Sequence, residues 1–334
     1  MKKTIALLLI LAFLIPFAGC GQVGPQENLD YDSVTVTDQA GRTVVIEAKP
    51  QRLISCYYIT TSLLMALGLG ENIVGIENEP HLRPIYGLSQ PHLLQRPWVG
   101  TAKTLDLEAC AALEPDLVIL PLRLKDAAEI LEDLGIDVLL VNPESQELLV
   151  EMIQLVGAAT GTRETADALI AFLEEQENYL LQTLAEVDTP RVYLAGNSSL
   201  LSTAGDSMYQ SDMIRLAGGS NVASEIEDTY WAEIDYEQLL VWDPEYIILA
   251  AEATYTVEDV LSDPNLAGCT AVRNGNVYRL PNKAEAWDSP VPGSILGALW
   301  LANILHEDKV SDEECAARMD AYYETFYGFK YSEN

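Results

Sequence analysis

Apolar residues recur at every third or fourth position along one stretch near the middle of the chain. This stripe consists of Ala166, Ile170, Leu173, Leu180, Leu184 and Val187. The spacing predicts one long amphipathic helix over residues 162–187. Thr162 is a residue type that caps helix starts, and Pro190 follows the predicted end. At 1.5 Å per residue the helix would be about 37 Å long, the width of a small domain.

Short aliphatic runs alternate with helical patterns on both sides of this stripe. Runs typical of buried strands cover residues 53–55, 73–76, 117–120, 138–141, 191–195, 246–249 and 277–280. Regular alternation of strands and helices predicts mostly parallel sheets. We therefore predict an α/β fold in which two Rossmann-like lobes with mostly parallel sheets are joined by a single long interlobe helix. An ordinary long helix inside one domain is the alternative.

Two segments of 13 residues repeat one pattern, one segment in each half. Residues 108–120 read EACAALEPDLVIL, and residues 237–249 read EQLLVWDPEYIIL. Each begins with a glutamate, continues through an apolar helical turn and an acid-proline-acid triplet, and ends in an aliphatic strand. The similar position in the two halves indicates a duplicated architecture. A cleft between the lobes would then open at the carboxyl ends of the strands, where ligands bind in such sheets.

The N-terminal residues form a separate signal. Lys2 and Lys3 precede an apolar run over residues 5–17, and Ala18-Gly19-Cys20 follows it. This order is typical of the signal peptide of an exported protein. The small residues before Cys20 resemble the lipobox of bacterial lipoproteins, which implies lipidation of Cys20; a plain secretory signal is the alternative. The predicted division is a signal peptide (1–19), a lipidated flexible tether (20–33), a first lobe (34–160), the interlobe helix (161–189) and a second lobe (190–334).

Composition narrows the function. The chain has 334 residues, of which 49% are hydrophobic, enough to bury two cores. It has 51 acidic and 19 basic residues, and the resulting charge of -32 opposes binding to nucleic acid. Besides Cys20 there are four cysteines, which in an exported protein allow three disulfide pairings; their spacing selects none. They are Cys56, Cys110, Cys269 and Cys315.

The sequence has no motif that indicates an enzyme or a resident cofactor. GxSxG, the P-loop pattern and a GxGxxG after a strand are all missing. The histidines are His81, His92 and His306, and they lack the spacing of metal ligands. We therefore expect surface roles for them, with no metal site, no catalytic residue and no cofactor.

Several stretches, taken in order, resemble one family. Residues 36–42 (VTDQAGR), 49–55 (KPQRLIS), 65–70 (MALGLG), 113–118 (LEPDLV), 271–278 (AVRNGNVY) and 287–290 (WDSP) are similar to segments of class III solute-binding proteins. These proteins serve ABC importers of iron–siderophore complexes, haem and cobalamin. The resemblance covers about residues 34–310.

The resemblance implies a substrate-binding lipoprotein that works as a monomer. It would carry a small-molecule metal chelate to an ABC permease dimer with its ATPase. An iron–siderophore is the expected cargo; cobalamin, haem or an oxyanion such as molybdate are the alternatives. The implied location is the outer face of the cell membrane, with a Gram-positive-like surface favoured over a periplasm. An alternative of another class is a lipid-anchored extracytoplasmic enzyme.

The resemblance also implies a role for the glutamates that begin the repeated segments. In this family one exposed glutamate per lobe docks on the permease, and Glu108 and Glu237 match those positions. A carboxylate in the first turn of a helix is also favoured by the helix dipole, so both residues have a purely local alternative role.

Candidate cargo ligands are aromatic, amide and cationic residues in loops beyond the predicted strands. Aromatic rings offer broad apolar contact with a polar tip, and a guanidinium can hold a carboxylate or oxyanion through two parallel bonds. Ordinary packing is the alternative for the aromatic residues, and surface ion pairs for the arginines. Tyr57 and Tyr58 are adjacent, so one of them is expected to pack inward. The candidates are Tyr57, Tyr58, Arg83, Trp98 and Arg123 in the first lobe and Asn197, Tyr209, Tyr230, Trp231, Tyr255 and Trp287 in the second.

Overall fold

The computed structural model describes residues 33–227 and 231–333. The predicted signal peptide, Cys20 and nearly all of the predicted tether lie outside these residues. Within the described part of the chain, no helix combines the length and the apolar character needed to cross a membrane.

The first lobe is built around a parallel sheet. In chain order its elements are β1 (Val34–Thr37), β2 (Thr43–Ile46), β3 (Leu53–Ser55), α1 (Tyr58–Ala66), β4 (Ile73–Gly75), α2 (Pro84–Ser89), β5 (Gly100–Thr101), β6 (Thr104–Leu105), α3 (Leu107–Ala112), β7 (Leu117–Pro121), α4 (Lys125–Asp133), β8 (Asp137–Val141) and α5 (Gln146–Ala159). The sheet has the strand order β4-β3-β7-β8, and all of its pairs are parallel. Every residue of β7 is buried, as expected for a strand covered on both faces.

One carboxylate both shapes the turn between β1 and β2 and bonds the hairpin to this sheet. Asp38 lies in the turn and accepts hydrogen bonds from the backbone N–H groups of Ala40 and Arg42. It also accepts one from the N–H of Leu140 in β8, at 3.0 Å. Gly41 has φ +76°, which a residue with a side chain rarely adopts. The two strands pair in antiparallel register from Val34 opposite Ile46 to Thr37 opposite Thr43.

After the helix α6 (Arg163–Thr183), the second lobe forms a mixed sheet. Its elements are β9 (Arg191–Ala195), β10 (Ser202–Ala204), α7 (Tyr209–Leu216), β11 (Ser220–Asn221), β12 (Trp231–Glu233), α8 (Tyr236–Trp242), β13 (Tyr246–Leu249), α9 (Val257–Leu261), α10 (Thr270–Asn274), β14 (Val277–Arg279), α11 (Ile295–Leu305) and α12 (Asp312–Tyr327). The order is β12-β10-β9-β13-β14, with β11 also paired to β9. β9, β13 and β14 are parallel, whereas β10 and β12 form an antiparallel edge that the sequence did not predict. The predicted fold class is confirmed.

The helix α6 joins the lobes because it packs on helices of both. It contacts α5 of the first lobe and α7 and α11 of the second. Thr162 precedes the helix, but its hydroxyl pairs with that of Thr160 at 2.8 Å and does not cap it. The helix ends at Thr183, because residues 184–187 already turn the chain towards β9. At 1.5 Å per residue it is about 31 Å long, shorter than predicted.

The C-terminal helix α12 is a second connection between the lobes. Gln176 of α6 is buried, and its Oε1 accepts a hydrogen bond from Arg318 of α12 at 2.8 Å. At the other end of α12, the Tyr327 hydroxyl donates to the carbonyl of Ser62 in α1 at 3.1 Å, and Ser89 Oγ donates to the Tyr327 carbonyl at 2.7 Å. The sequence placed this helix wholly within the second lobe, whereas its last turn packs on the first.

The four described cysteines are all free thiols, and all are buried. Cys110 lies in the apolar core of the first lobe. Burial raises the pKa of the Cys56 thiol to about 12, so this thiol is neutral and structural at physiological pH.

Candidate functional site

A cavity of about 440 Å³ lies where three strands of the first sheet end. Tyr57 follows β3, Arg123 follows β7, and Asn142 and Glu144 follow β8. Because the carboxyl ends of parallel strands meet at one edge of a sheet, this is where such folds bind ligands. The residues that line this strand-end cavity are Tyr57, Pro121, Leu122, Arg123, Val141, Asn142, Pro143 and Glu144.

Arg123 gives the strand-end cavity a positive charge. Its side chain is exposed and makes no ion pair of 4.0 Å or less within the described residues. Burial raises the pKa of the Glu144 carboxyl, and Arg123 opposes that shift. Burial also raises the pKa of Tyr57 well above its ordinary value, again opposed by Arg123. The cavity therefore combines a guanidinium open to a ligand with an un-ionised phenol, an amide and the Glu144 carboxyl.

Adjacent tyrosines connect this cavity to the second lobe. The rings of Tyr57 and Tyr58 meet edge to face, with their centroids 5.7 Å apart. The Arg83 guanidinium lies over the ring of Tyr58, 4.0 Å from its centroid. Arg83 Nη1 in turn forms an ion pair with Oε1 of Glu252, which follows β13, at 2.5 Å. The two tyrosines thus face different neighbours, and Arg83 lies at the lobe junction.

The lobes touch directly beside this ion pair. The N–H of Ile85 donates to the carbonyl of Ala284 at 3.1 Å. Glu285 and Asp288, on the same second-lobe loop, are buried. Burial raises the pKa of Glu285 to about 7 and that of Asp288 to about 6. The junction therefore buries carboxyl groups that titrate near neutral pH.

Three of the predicted second-lobe ligands gather at the end of β9. The Tyr255 hydroxyl donates to the carbonyl of Gly196 at 2.7 Å. The carbonyl of Asn197 accepts a hydrogen bond from the N–H of Thr254 at 2.9 Å. Trp231 packs so closely on Gly196 that a Cβ there would lie 3.0 Å from its ring. The carboxyl edge of the second sheet thus presents an aromatic and amide surface.

The remaining predicted ligands lie elsewhere. Tyr209 is 2% exposed and Trp287 0%, and the Trp287 indole N–H donates to the Tyr323 hydroxyl at 2.9 Å. Both are core residues with no surface open to cargo in this structure. Trp98 is 51% exposed beyond β4, at the outer edge of the first sheet. Tyr230 lies outside the described residues.

Glu108 and Glu237 occupy the second position of α3 and α8, and both are exposed. Each helix is capped by an aspartate, Asp106 or Asp235, whose side chain accepts the N–H of the third helical residue. Short loops reverse the chain between each helix and the strand after it. Each glutamate therefore lies towards the end of its lobe at which the parallel strands end.

The histidines do not form a metal site. His81 is exposed and His92 is partly exposed, but His306 is buried, with Nε2 3.3 Å from the carbonyl of Gly218. The expected surface role is therefore wrong for His306, which packs against the chain after α7. Within residues 33–227 and 231–333, no group of three or more His, Cys, Asp or Glu side chains is placed to hold a metal ion.

A second cavity, of about 590 Å³, lies between β1 and the helices α5 and α6. None of the ligands predicted from the sequence lines it. Its lining includes Thr37, Gln39, Glu151, Gln154, Arg163 and Asp167.

Sequence reasoning missed Asn142, Glu144 and Glu252. The internal repeat contained the signal for Glu252. Arg123 lies three residues after the last residue of the first repeated segment, and Glu252 lies three residues after the last residue of the second. The two lobes therefore present opposite charges at equivalent positions of their carboxyl edges.

Comparison with known proteins places this geometry in context. The profile of the family described as periplasmic binding protein matches residues 53–284. The molybdate-binding protein MolA of Haemophilus influenzae is 24% identical over 323 residues, 89% of this chain and 91% of that protein. The cobalamin-binding protein of Halobacterium salinarum is 23% identical over 91% of this chain and 85% of its own length.

Two further similarities concern a lipoprotein and a solved structure. The ABC transporter substrate-binding lipoprotein YvrC of Bacillus subtilis is 24% identical over 73% of this chain and 78% of its own length. The structure of MolA bound to molybdate has a TM-score of 0.80, at 24% identity, over 89% of this chain and 99% of that one. The similarity to that structure extends over both lobes, so the fold is shared as a whole.

Proposed function

Because the chain belongs to the periplasmic binding protein family, as its motifs indicated, we propose that it is the substrate-binding lipoprotein of an ABC importer. A member of this family binds a solute and is not an enzyme, which removes the alternative of a lipid-anchored enzyme. The protein captures its cargo between the lobe of residues 34–160 and that of residues 190–334. It then delivers the cargo, as a monomer, to a permease dimer with its ATPase.

The cargo in this proposal is an anionic metal chelate of the iron–siderophore type. The observation that carries it is Arg123, an exposed guanidinium without an ion pair among the described residues, in a cavity at the strand ends. Six of the eleven arginines, all of which lie among the described residues, form ion pairs with acidic side chains, and Arg123 is one of the five that do not. Arg163 also lines a cavity without an ion pair, but Arg123 lies where parallel strands end, the edge at which such folds bind ligands, and its guanidinium suits an anionic ligand.

A free oxyanion such as molybdate is the second candidate. The strand-end cavity is lined by the first lobe alone, and the lobes already touch through Arg83 and Glu252. A small anion would fit this arrangement without the lobes separating, whereas a chelate requires them to open. The molybdate-binding relative supports this candidate, and the cobalamin-binding relative keeps cobalamin, like haem, in the test panel.

The decisive experiment is a binding panel on the purified mature protein. Isothermal titration would use sodium molybdate, a ferric tris-catecholate, a ferric hydroxamate, haem and cyanocobalamin, with native mass spectrometry of the untreated protein. Stoichiometric binding of an anionic member supports the proposal. Binding of cyanocobalamin alone would replace the anionic cargo with cobalamin.

The location and the docking surface complete the proposal. Cys20 anchors the protein through lipid to the outer face of a Gram-positive-like cell membrane, a placement that the lipoprotein relative supports. Glu108 and Glu237, one per lobe and both exposed, contact basic residues of the permease. The proposed cargo ligands are Tyr57, Tyr58, Arg83, Arg123, Asn197, Trp231 and Tyr255.

A further inference from the structure

The ion pair between Arg83 and Glu252 occupies an arginine that the cargo would otherwise bind. Nη1 of Arg83 lies 2.5 Å from Oε1 of Glu252, so the guanidinium of the first lobe is held by a carboxylate of the second. The side chains are 25% and 33% exposed, so both are accessible from solvent. Arg123, by contrast, has no such partner among the described residues.

The position of the pair links it to the strand-end cavity. Arg83 lies on the ring of Tyr58, and that ring contacts Tyr57, which lines the cavity. Glu252 follows β13, at the carboxyl edge of the second sheet. An anion that enters between the lobes at this edge therefore meets Arg123 directly but finds Arg83 already neutralised.

We propose that Glu252 is a specificity residue that imitates an anionic cargo. In the empty protein its carboxylate holds Arg83 and keeps the lobes in contact. An arriving anion takes over Arg83, and Glu252 moves into the solvent that it already partly faces. This inference rests on the proposed anionic cargo and adds a competitor built into the second lobe.

The competition has a consequence for selectivity. A cargo gains from Arg83 only if it binds the guanidinium better than Glu252 does, so anions with several charged oxygens are favoured over weak or neutral ligands. While Glu252 holds Arg83, this arginine cannot bind cargo. The apparent affinity for every anion is therefore lowered, and a stronger ion pair lowers it further. A partly exposed ion pair is worth about 0.2–1 kcal/mol, which corresponds to a factor of up to about five in affinity.

The test compares wild type with four variants by titration with ferric tris-catecholate, the anionic probe. Glu252→Gln should bind the anionic probe about two- to fivefold more tightly than wild type. Arg83→Ala should bind it more weakly. The double variant should match Arg83→Ala, because Glu252 acts only through Arg83. Glu258→Gln, which removes an exposed acid from the neighbouring helix α9, is the matched control and should leave binding unchanged.

Weaker binding by Glu252→Gln would overturn the inference, because Glu252 would then contact cargo itself. If Glu252→Gln raised the affinity equally in the presence and absence of Arg83, the inference would also be overturned. The gain would then come from the lower negative charge of the protein and not from release of Arg83. Circular dichroism and thermal melting of each variant exclude misfolding as the cause.

A cargo-free measurement separates this inference from the proposed function. In the empty protein, Glu252→Gln should increase amide hydrogen exchange in residues 83–89 and 250–256. If no anionic probe binds wild type but Glu252→Gln increases amide exchange, the proposal of an anionic cargo is wrong, whereas the contact of Glu252 between the lobes is supported. Unchanged exchange would show that Glu252 does not hold the lobes together, and the inference would fail.

Discussion

Arg52 and Arg191 share three equivalent contacts in the two lobes. The backbone N–H of each donates to a carboxylate, Asp116 in the first lobe and Glu245 in the second, at 2.9 Å. The carbonyl of each accepts the N–H of that same acid, at 3.0 and 2.8 Å. Each guanidinium donates at 2.9 Å to the carbonyl two residues before the acid. The internal repeat is therefore a repeat of structure, fixed at the start of β3 in the first lobe and of β9 in the second.

The carbonyl that accepts each guanidinium hydrogen bond belongs to a residue with an unusual backbone conformation. Glu114 has φ 47° and Asp243 has φ 42°, the left-handed region that residues with a side chain rarely adopt. Each precedes the proline of its acid-proline-acid triplet. The triplet thus forms the sharp turn between helix and strand, and the arginine closes it.

The two turns should respond differently to glycine. Glu114→Gly should leave the free energy of unfolding unchanged or raise it by up to about 1 kcal/mol, because glycine removes the left-handed penalty and the Glu114 side chain makes no hydrogen bond within the part of the chain that the structure describes. Asp243→Gly should lower it by about 1–2 kcal/mol, because the Asp243 carboxylate accepts the N–H and the hydroxyl of Thr270 at 2.7 and 2.9 Å. Urea unfolding of both variants measures the difference.

Asp243→Asn is the control for charge at that turn, because it keeps the acceptor oxygen and tolerates the left-handed backbone. The Thr270 N–H is the main cause that holds the pKa of Asp243 below its ordinary value. Similar stability of the two glycine variants would show that backbone strain, and not this bonding, governs both turns.

The core of the fold was predictable because its strands are buried on both faces. Continuous aliphatic runs such as residues 117–120, which alternate with helical patterns along the chain, are explained by parallel strands that are buried on both faces. The strands β10 and β12 were missed because each has only three residues, too few for a period to show, and they include polar residues such as Ser202 and Glu233. The crossing of α12 was missed because the docking of Tyr327 on α1 depends on tertiary contact and leaves no periodic pattern.

The candidate site was predictable only in part, for a similar reason. Arg123 and Tyr57 follow strand ends, so topology alone brings them together. Trp287 also follows the last strand, but its indole found a hydroxyl partner in the core at Tyr323. A loop side chain can turn inward or outward, and sequence order does not decide between these directions. The Arg83–Glu252 pair depends on how the lobes meet.

Arg123 should dominate the binding of an anionic cargo. Arg123→Ala should weaken that binding by about 1.5–3 kcal/mol, because one charge-assisted contact is lost. Loss of both Arg83 and Arg123 should weaken it by about 2–4 kcal/mol, less than the sum, because the contacts are not additive. Isothermal titration with the best-binding anion of the panel gives both values.

Lys125→Ala is the matched control, since it removes one exposed cation at the start of α4 without changing the cavity lining. Arg123→Lys keeps the charge but loses the planar fork, and an intermediate affinity is expected. Wild-type affinity in Arg123→Ala would remove the case for the strand-end cavity as the anion site.

Stability should fall as the pH rises through the range in which Glu285 titrates. Burial raises the pKa of Glu285 from its ordinary 4.5 to about 7, opposed by the hydroxyls of Ser62 and Tyr323. Between these values the folded state keeps a proton that the unfolded state releases, so the free energy of unfolding decreases with pH by about 3 kcal/mol in total. Glu285→Gln should remove this decrease and melt at a higher temperature than wild type at pH 8.

Melting curves between pH 5 and pH 8 measure this effect. Burial also raises the pKa of Asp288, to about 6, so a smaller decrease of the same sign should remain in the variant. Glu129→Gln, which changes an exposed acid, should follow wild type. A variant at Glu285 with the slope of wild type would show that this carboxyl is ionised in the folded protein throughout the range.

Cys20 should decide where the protein resides. Cys20→Ala should leave the chain unlipidated, and the protein should appear in the medium or as an unprocessed precursor. Membrane fractionation and labelling with a fatty-acid analogue provide the measurement. Gly21→Ala, one residue further on, should still be labelled. Lipid labelling of the Cys20→Ala protein would place the anchor on another residue.

Glu108 and Glu237 should matter for import but not for cargo binding. They occupy the same place in two copies of one segment, are exposed, and line neither cavity described here. A permease dimer offers two equivalent surfaces, so one carboxylate per lobe suits two basic pockets. Such contacts at the rim of an interface guide encounter and orientation, and they weaken with salt. Glu108→Arg combined with Glu237→Arg should therefore keep the cargo affinity of wild type and abolish uptake.

The control for this double variant is Glu129→Arg combined with Glu258→Arg, which reverses one exposed acid in each lobe, on α4 and α9 and not on α3 or α8. Uptake of labelled cargo by cells that express equal amounts of each protein gives the comparison. Both double variants change the net charge by the same amount, and only the positions differ. The control should import at the wild-type rate, because it leaves Glu108 and Glu237 in place. Full uptake by the Glu108 and Glu237 variant would show that these glutamates serve only the first turn of their helices, and equal loss in both variants would assign the effect to net charge.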